Sequence, residues 1–388
     1  MLNVHERKLC ELCDVNMGQS PPSDSYNQEG NGLPFYQGNA DFGDIHPSTR
    51  YWCAKPTKIA NAGDVLISVR APIGAMNIAT EKCCIGRGLA ALTAKDGISV
   101  NRYLFYAVYS RVNELIASGT GSTFKAISKT ILGNTLVPSV PLPEQILIAD
   151  ILDKEKVIIT ARREQIVVLD NLVRDVFVEM FGDPVKNPKN YEIELLGNLG
   201  ELKNGMNYSQ SDRGYYIRCL SVGDFGNNHE VSDIHNLSLI QLTQEPSVGY
   251  FLCDGDIVFV RSNGNKALVG RSVEITTKGE KAVFSGFCIR FRIGKDIIIP
   301  KYLNYALHME SLKKALFKNT RGANIQNLNQ QMLSALEIPI PPLEMQMEFQ
   351  DIVLKIMNQK KLLIASLAEL ETAYKSTLNK AFNGELFQ

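Results

Sequence analysis

A proline-rich junction that occurs twice constrains the fold of this chain more than any other feature. Residues 136–145 read LVPSVPLPEQ, residues 337–346 read EIPIPPLEMQ, and each copy leads into a long helical pattern. Other stretches match in the same order: VNMGQS (15–20) with LKNGMN (202–207), ADFGD (40–44) with GDFGN (223–227), GDVLISVR (63–70) with GDIVFVR (255–261, one residue gapped), and NRYLFYAV (101–108) with PKYLNYAL (300–307). The period is too long for a solenoid, so the sequence predicts two copies of a unit in which a domain is followed by a helix.

The length of the chain supports this division, because 388 residues exceed what one ordinary hydrophobic core accommodates. No apolar run reaches the ~18 residues that a transmembrane helix needs. The first residues, MLNVHERKLCELC, lack the apolar core of a signal peptide. We therefore expect a soluble, cytoplasmic protein without a membrane partner.

The sequence pattern of each repeat predicts a mixed α/β (α+β) domain. Residues 65–70 alternate as a strand does, and apolar residues recur at helical spacing near 101–118 and again near 300–318. The prolines of the junction then break regular structure, because proline has no N–H and restricts the residue before it.

A long helix is predicted after each junction, with apolar residues at every seventh position, as in a coiled coil. These residues are Leu152, Ile159, Ile166 and Val173 in the first helix and Ile356, Leu363 and Leu370 in the second. We interpret the helices as an antiparallel coiled-coil spacer that joins two globular domains related by a pseudo-two-fold. The alternative is that each helix lies on its own domain. The predicted boundaries are 1–143 and 189–342 for the domains, and 144–188 and 343–388 for the helices.

Convincing catalytic motifs are missing from the sequence. It contains no Walker phosphate loop, no nucleophile elbow and no H-E-x-x-H motif. The stretch SPPS (20–23) is like the loop with which amino-methyltransferases hold a target amine, but Ser23 stands where that loop has an aromatic residue. Glu201-Leu202-Lys203, with Asp183 upstream, is only loosely like a nuclease site, and we interpret it as structural.

The eight cysteines raise the question of a metal site, since Cys10 and Cys13 form a C-x-x-C pair. A zinc site needs a second pair at a suitable spacing, and Cys83–Cys84 is a poor candidate for it. We therefore interpret the cysteines as reduced, buried thiols and expect no metal.

Basic residues are unevenly distributed, although the formal net charge is zero. Residues 55–129 carry ten Lys/Arg and four Asp/Glu, and residues 255–321 carry thirteen and five, whereas residues 144–182 carry five and eight. Two basic domains held apart by a rigid spacer suit double-stranded DNA, whose phosphates provide affinity and whose base edges provide specificity. Half-sites on one face of DNA lie ~34–36 Å apart, a distance that a helix of ~38 residues and ~57 Å can set.

The candidate DNA-binding residues are mainly polar side chains near turns, because Gln, Asn and Arg make bidentate contacts to purines. In the first repeat they are Gln19, Ser20, Gln37, Gly38, Asn39, Arg70, Arg87 and Lys125. In the second repeat they are Asn207, Tyr208, Arg261, Asn263, Lys266, Arg321, Asn324 and Gln326. Any single one of them is more readily explained as a solvated surface group, but the set carries more weight than its members.

Seven stretches together carry a resemblance to a known family. They are MGQSPPSDSYN (17–27), GNGLPFYQGNADFG (30–43), GDVLISVRAPIG (63–74), IGRGLAAL (85–92), PLPEQ (141–145), PIPPLEMQ (339–346) and KAFNGELF (380–387). With them the chain resembles, over essentially its whole length, the specificity (S) subunits of type I restriction-modification systems. The second half departs from the pattern, since it lacks SPP and PFYQG and carries GMNYSQ (205–210) and YIRCLS (216–221) instead. The two halves are therefore expected to read different sequences.

The resemblance implies two target recognition domains, each reading one half of a split asymmetric DNA site, and two spacer helices that dock two modification subunits. Restriction subunits would join that core. The chain itself would be non-catalytic and without a cofactor, with S-adenosylmethionine, ATP and Mg²⁺ on the partner subunits. Two alternatives are a fused methyltransferase or nuclease with an unrecognised active site, and a coiled-coil scaffold without a DNA role.

Overall fold

The structure, a computed structural model, describes residues 5–120, 125–209, 211–226, 229–318 and 327–386. The chain divides into two compact units: unit 1 comprises residues 1–164 and 364–388, and unit 2 comprises residues 165–363. Each unit contains one repeat of a mixed α/β domain and a part of both long helices, so the predicted fold class is confirmed. Within the described ranges, no helix is both long enough and apolar enough to cross a membrane.

The first repeat builds three small sheets from short strands. Its elements are β1 (His5–Lys8), α1 (Leu9–Leu12), β2 (Cys13–Met17), β3 (Tyr26–Asn27), β4 (Leu33–Tyr36), β5 (Trp52–Cys53), β6 (Ile59–Ala60), β7 (Val65–Ser68), β8 (Met76–Ile78), β9 (Cys83–Ile85), β10 (Leu89–Ala94), α2 (Asn101–Tyr109), α3 (Val112–Ser118), α4 (Lys129–Asn134), β11 (Leu136–Ser139) and α5 (Leu142–Phe181). The sheets have the strand orders β1-β11, β2-β10-β7-β8 and β3-β5-β4-β9-β6. Strand β7 is buried on both faces: Val65 and Ile67 join the core beside α2, and Leu66 joins a second core under the five-stranded sheet.

The second repeat follows the same plan. Its elements are β12 (Glu192–Leu195), α6 (Leu196–Leu199), β13 (Gly200–Asn204), β14 (Tyr215–Leu220), β15 (Glu230–Val231), β16 (Ser238–Leu242), β17 (Ile257–Val260), β18 (Ser272–Ile275), β19 (Ala282–Phe284), β20 (Cys288–Ile293), α7 (Pro300–His308), α8 (Glu310–Phe317), α9 (Gln330–Ser334), β21 (Glu337–Ile340) and α10 (Leu343–Asn383). The sheets have the orders β12-β21, β13-β20-β17-β18-β15 and β16-β14-β19. Strand β17 again divides its side chains, with Ile257 and Phe259 in one core and Val258 in another.

The single helix predicted near 101–118 and again near 300–318 is interrupted in both repeats. In the first, α2 ends at Tyr109 and α3 begins at Val112. In the second, Met309 has φ −65° and ψ 134° between α7 and α8, a conformation that belongs to extended backbone. The break lets the second segment change direction, so that Leu115 and Leu312 are buried.

The proline junction is more regular than the sequence predicts. Pro138 lies in β11, which pairs with β1, and Pro339 lies in β21, which pairs with β12. Both strands belong to two-stranded sheets, so each has one edge without a partner strand. A missing N–H on that edge removes no hydrogen bond between strands. The hydroxyl of Tyr103 donates to Pro138 O at 3.0 Å, and that of Tyr302 donates to Pro339 O at 2.8 Å. The same contact therefore fastens the junction in each repeat.

In unit 1, the first part of α5 lies against the last part of α10. Thr377 donates a hydrogen bond to Glu155 at 2.9 Å, and Arg163 pairs with Glu371 at 2.7 Å. Residue numbers rise along one helix as they fall along the other, so the two segments are antiparallel.

In unit 2, the last part of α5 lies antiparallel to the first part of α10. Lys360 pairs with Asp170, and the rings of Phe177 and Phe349 lie 5.5 Å apart. Of the seam residues named from the sequence, Leu152, Ile159 and Val173 are buried, and Ile166, Ile356, Leu363 and Leu370 are half-buried. Their role in pairing the helices stays a prediction.

The cysteines depart in two places from the prediction of buried thiols. Cys10 and Cys253 are exposed, whereas the other six are buried and all eight are free. Cys10 is exposed because α1 turns Leu9 and Leu12 toward the core. Among the described residues, no cluster of three or more His, Cys, Asp or Glu is placed to hold a metal ion.

Candidate nucleic-acid interface

A cleft opens in each unit where several loops and strand ends meet. Cleft 1, in unit 1, has a volume of about 340 Å³ and is lined by residues 20, 37–39, 68, 70–71 and 87–88. Cleft 2, in unit 2, has a volume of about 890 Å³ and is lined by residues 206–208, 221–223, 262–264, 285–287 and 327. The two linings come from corresponding parts of the two repeats.

A glycine brings the first loop of each cleft against the loop opposite. A Cβ added to Gly18 would lie 2.1 Å from Gly86 O, and one added to Gly205 would lie 2.0 Å from Ser285 O. Neither distance is possible for a real Cβ, so only glycine permits this approach. The side chain two residues further along therefore reaches the lining of each cleft.

A carboxylate holds the turn that forms a second wall. Asp41 Oδ2 accepts a hydrogen bond from Gln37 N at 2.8 Å, and Asp224 Oδ2 accepts one from Ser221 N at 2.7 Å. Arg50 pairs with Asp41, which is buried, so that carboxylate adds little negative potential to cleft 1. The turn is thus held in the same way in both units, and Gln37 corresponds to Ser221.

The third wall is the loop after β7 and after β17. The N–H groups of Val69 and Arg261 donate to corresponding carbonyls across the cleft, at 2.9 and 2.8 Å. Val69 therefore corresponds to Arg261, and Arg70 corresponds to Ser262. The gapped sequence match, which aligned Arg70 with Arg261, is wrong by one residue, because β7 and β17 run without a gap from Val65 and Ile257. The Arg261 guanidinium donates to a backbone carbonyl of the opposite loop at 3.3 Å.

The correspondence shows which side chains take equivalent places. Ser20, Gln37, Arg70 and Arg87 of cleft 1 match Asn207, Ser221, Ser262 and Gly286 of cleft 2. Within the described ranges, the guanidiniums of Arg70 and Arg87 take part in no ion pair or hydrogen bond, and both residues are exposed. The described lining of cleft 2 contains no Lys, Arg, Asp or Glu. The two clefts thus share a framework and differ in charge.

Cleft 2 is lined by neutral polar and aromatic groups. Asn207, Asn263 and Asn327 contribute carboxamides, and Phe287 stands at the cleft with 63% of its surface exposed. Burial raises the pKa of Tyr208, and the nearby Cys219 side chain raises it further. The phenol therefore stays protonated and uncharged.

Much of the positive charge in residues 255–321 is neutralised within the fold. Arg292 makes two bonds of 2.7 Å to the buried Asp256, and Lys301 lies 2.8 Å from Glu274. Charges that are paired in this way contribute little to an external field. The count of basic residues therefore overstates the charge that unit 2 offers to a ligand.

The E-x-K tripeptide has structural partners. Glu201 lies 3.4 Å from the buried Arg290, and the Lys203 ammonium lies 4.6 Å from the centre of the Tyr250 ring. Asp183 accepts hydrogen bonds from two backbone N–H groups that follow it. These contacts fit the structural interpretation of the tripeptide.

The residues predicted from the sequence fall into three groups. The clefts contain Ser20, Gln37, Gly38, Asn39, Arg70, Arg87, Asn207, Tyr208 and Asn263. Gln19, Lys125, Arg261 and Lys266 lie outside the cleft linings, and Arg321, Asn324 and Gln326 lie outside the described residues. Sequence reasoning missed Ser221, Ser262, Phe287 and Asn327. Aligning β7 with β17 without the gap would have pointed to Ser262 as the equivalent of Arg70.

A family model connects these clefts to known proteins. The model of the type I restriction modification DNA specificity domain matches residues 1–167 and, a second time, residues 188–372. The chain belongs to this family. Each match of the specificity-domain family spans one globular repeat and most of the long helix that follows it.

Individual members of the family resemble the chain over different lengths. It is 47% identical over 135 residues to a protein described as the MjaX type I restriction enzyme specificity subunit of Methanocaldococcus jannaschii, a match that covers 35% of this chain and only 32% of that relative. It is 26% identical to the type I restriction enzyme StySPI specificity subunit of Salmonella potsdam, over 79% of this chain and 69% of the relative. The crystal structure of the type I restriction-modification S subunit from M. genitalium shares the fold, with a TM-score of 0.60, 16% identity, and 98% and 96% of the two chains covered.

Proposed function

We propose that this chain is the non-catalytic DNA-specificity subunit of a type I restriction-modification complex, acting in the cytoplasm. In this proposal, residues 1–143 and 189–342 are target recognition domains, and each reads one half of a bipartite asymmetric site. The observation that carries the proposal is the pair of clefts, which share one backbone framework and differ in the side chains at equivalent positions. A duplicated framework with divergent surface groups suits two half-sites of different sequence.

The chemistry of the clefts supports nucleic acid as the ligand. Arg70 and Arg87 offer guanidiniums that no described residue pairs with, and such groups bind phosphate oxygens or the acceptor edge of guanine. Cleft 2 offers carboxamides, hydroxyls and an exposed aromatic ring, which suit base edges and the thymine methyl group. Among the other candidates from the sequence, Gln19, Lys125 and Lys266 are exposed and suit contacts to the backbone of the duplex.

The long helices suit the role of spacers. Helix α5 has 40 residues and α10 has 41. A helix of that length is ~60 Å long, which exceeds the ~34–36 Å between half-sites on one face of DNA. In the proposal, the spacers at 144–188 and 343–388 determine the gap between half-sites, and the domains determine what is read.

Exposed apolar side chains on the helices support the docking of two modification subunits. Val157 on α5 is 63% exposed, and Leu362 on α10 is 65% exposed. Exposed apolar side chains of this kind suit a surface that another protein covers. S-adenosylmethionine would then belong to the modification subunits, while ATP and Mg²⁺ serve the partner subunits that modify and cut DNA. This chain would supply no cofactor site.

A methylation map tests the proposed function. The chain is co-expressed with its modification subunit in a host that lacks adenine methylation, and modified bases are read across the genome. We expect a split motif with N6-methyladenine on each strand, and no such motif when the modification subunit is expressed alone. The proposal fails if the two subunits form a complex that neither methylates nor selects any DNA sequence.

The two alternatives predict different measurements. A fused enzyme would bind S-adenosylmethionine, or cleave DNA with Mg²⁺, as the purified chain alone. A scaffold without a DNA role would show no specific DNA affinity, whereas a specificity subunit loses affinity steeply as salt rises.

A further inference from the structure

The two clefts differ most at two equivalent positions. Arg70 of cleft 1 corresponds to Ser262 of cleft 2, and Arg87 corresponds to Gly286. Two guanidinium groups in unit 1 are therefore replaced in unit 2 by a hydroxyl group and by a glycine without a side chain. The backbone around them is the same, so the difference lies in what each cleft recognises.

Most of the described arginines of unit 1 pair with carboxylates, unlike those of cleft 1. Arg102 lies 2.7 Å from Asp150, and Arg111 lies 2.8 Å from Glu6. Within the described ranges, Arg70 and Arg87 have no such partner and point into a recess that no carboxylate lines. A guanidinium has a planar fork of donors that matches the O6 and N7 acceptors of guanine. No other base pair offers two acceptors on one purine edge.

The asparagines of cleft 2 offer a different pattern. A carboxamide donates to N7 of adenine and accepts from its N6 amino group, which guanine does not have. Asn207 and Asn327 make no side-chain hydrogen bond within the described ranges. Asn263 Oδ1 accepts a hydrogen bond from Asn265 N at 2.7 Å, which leaves its amino group as a donor. The exposed ring of Phe287 adds an apolar surface for a thymine methyl group.

We propose that cleft 1 selects guanine through Arg70 and Arg87, and that cleft 2 selects an adenine–thymine pair through its asparagines and Phe287. The inference rests on the proposed DNA-specificity function and names the bases that each half-site requires. The half-site read by unit 1 then contains an essential G·C pair. The position under cleft 2 in the other half-site is an A·T pair.

The steric relationship at Gly286 allows the chemistry of cleft 1 to be transferred. A Cβ on Gly286 would lie 2.1 Å from Asn207 Oδ1, so the asparagine occupies the space that a side chain there needs. In cleft 1 the residue equivalent to Asn207 is Ser20, which is shorter and leaves room for Arg87. Asn207→Ser combined with Gly286→Arg therefore places the counterparts of Ser20 and Arg87 in cleft 2, while Ser262 remains at the position of Arg70.

Selection from a random DNA library by the complete complex of this chain with its modification subunit tests the inference. Bound DNA is sequenced for the wild type, for Arg70→Ala, for Arg87→Ala and for the double variant Asn207→Ser/Gly286→Arg. Arg7→Ala is the matched control, because it removes one positive charge from the same unit at a half-exposed residue that pairs with Glu11 outside the cleft. None of the single variants alters a buried residue, so each is expected to fold.

The expected result is a change at one half-site only. Arg70→Ala and Arg87→Ala relax the preference for a G·C pair in that half-site by about tenfold to a hundredfold, and the other half-site keeps its sequence. The double variant makes the second half-site prefer guanine where the wild type selects A·T. Arg7→Ala leaves both half-sites unchanged.

Other outcomes overturn the inference and separate it from the proposed function. Uniform weakening over all sequences by Arg70→Ala and Arg87→Ala would identify both as phosphate contacts. A split motif whose unit 1 half-site lacks a G·C pair that responds to either variant also refutes the base assignment, while the DNA-specificity function stands. A wild-type complex that enriches no motif at all refutes the proposed function and the inference with it.

Discussion

Gln145 and Gln346 occupy equivalent buried positions at the start of the two long helices. Gln145 Nε2 donates to Val140 O at 2.8 Å, and Gln346 Nε2 donates to Pro341 O at 2.8 Å. Each Oε1 accepts the backbone N–H of the residue just before α2 or α7, at 3.3 and 2.9 Å. One amide thus joins the proline junction, the long helix and the domain helix of each repeat, which explains why both copies of the junction carry glutamine at this place.

Removing either amide is expected to destabilise the unit that contains it. Gln145→Leu or Gln346→Leu leaves several buried backbone groups without partners, at a cost of about 2–4 kcal/mol in the free energy of unfolding. Urea unfolding of the full chain measures this loss. Gln165→Leu and Gln359→Leu make the same change at exposed positions of the same two helices and are expected to stay within about 0.5 kcal/mol of the wild type. Equal effects at buried and exposed positions would contradict the role of the amides.

The buried carboxylates Asp64 and Asp256 are expected to differ in their contribution to stability. Asp256, 1% exposed, makes two bonds of 2.7 Å with Arg292, whose side chain is one-third exposed. Asp256→Asn breaks a largely buried pair, and we expect a loss of about 2–3 kcal/mol. Asp64 accepts a hydrogen bond from Asn61 N at 2.8 Å. Unit 1 has Thr93 at the position of Arg292, so Asp64 has no equivalent arginine partner. Asp64→Asn is therefore expected to lower the free energy of unfolding by only about 1 kcal/mol. Chemical unfolding of the two variants side by side measures the difference, and equal losses would contradict the importance of the arginine.

Acid is expected to destabilise unit 2 through a pair of buried histidines. The rings of His229 and His308 lie 4.0 Å apart, and His308 Nε2 donates to Ser272 O at 2.8 Å, so Nε2 carries a proton. Burial, together with the positive charges of Lys360 and Lys313, lowers the pKa of His229 to about 4. Burial, with a contribution from His229, lowers the pKa of His308 to about 3.

The direction of the pH effect follows from proton binding. The unfolded chain takes up a proton at each site around the ordinary pKa of 6.5, whereas the folded unit does so only near pH 4 and pH 3. Stability is therefore fully present above pH 6.5 and falls below it, by up to ~1.4 kcal/mol per histidine per pH unit. His229→Phe removes one titrating ring, and its urea midpoint is expected to fall less steeply than that of the wild type between pH 6.5 and 4.5. Parallel curves for the two proteins over that range would contradict this account.

Truncation after residue 188 is expected to leave the core of unit 1 incomplete. Leu378, Ala381 and Phe382 of α10 belong to that core, and the Phe382 ring lies 5.7 Å from Tyr103. The fragment would expose these contacts unless a second copy covers them, so we expect it to dimerise and at best to read a symmetric site. Light scattering and a methylation map measure both properties. A stable monomer that keeps the asymmetric motif of the full chain would refute the model of two readers.

Local patterns predicted a large share of the fold. The seven-residue spacing of Leu152, Ile159 and Ile166 predicted α5, because helical periodicity depends only on residues that are close together in the sequence. The interruption at Met309 was missed, since the apolar spacing continues across it and burial in the core decides the change of direction. The regular pairing of the proline junction was missed as well, because it depends on partner strands that lie far away in the sequence.

The sequence by itself determined that this protein is a tandem repeat with two long helices and a domain of mixed α/β structure before each. Repetition and periodicity can be recognised in an amino-acid sequence because they relate residues at regular spacing. Only the tertiary structure decided that Arg70 corresponds to Ser262, that Asn207 fills the space beside Gly286, and that the buried Asp256 neutralises Arg292. Those relationships arise from hydrogen bonds and packing between remote segments, and they determine which polar groups remain available to a ligand.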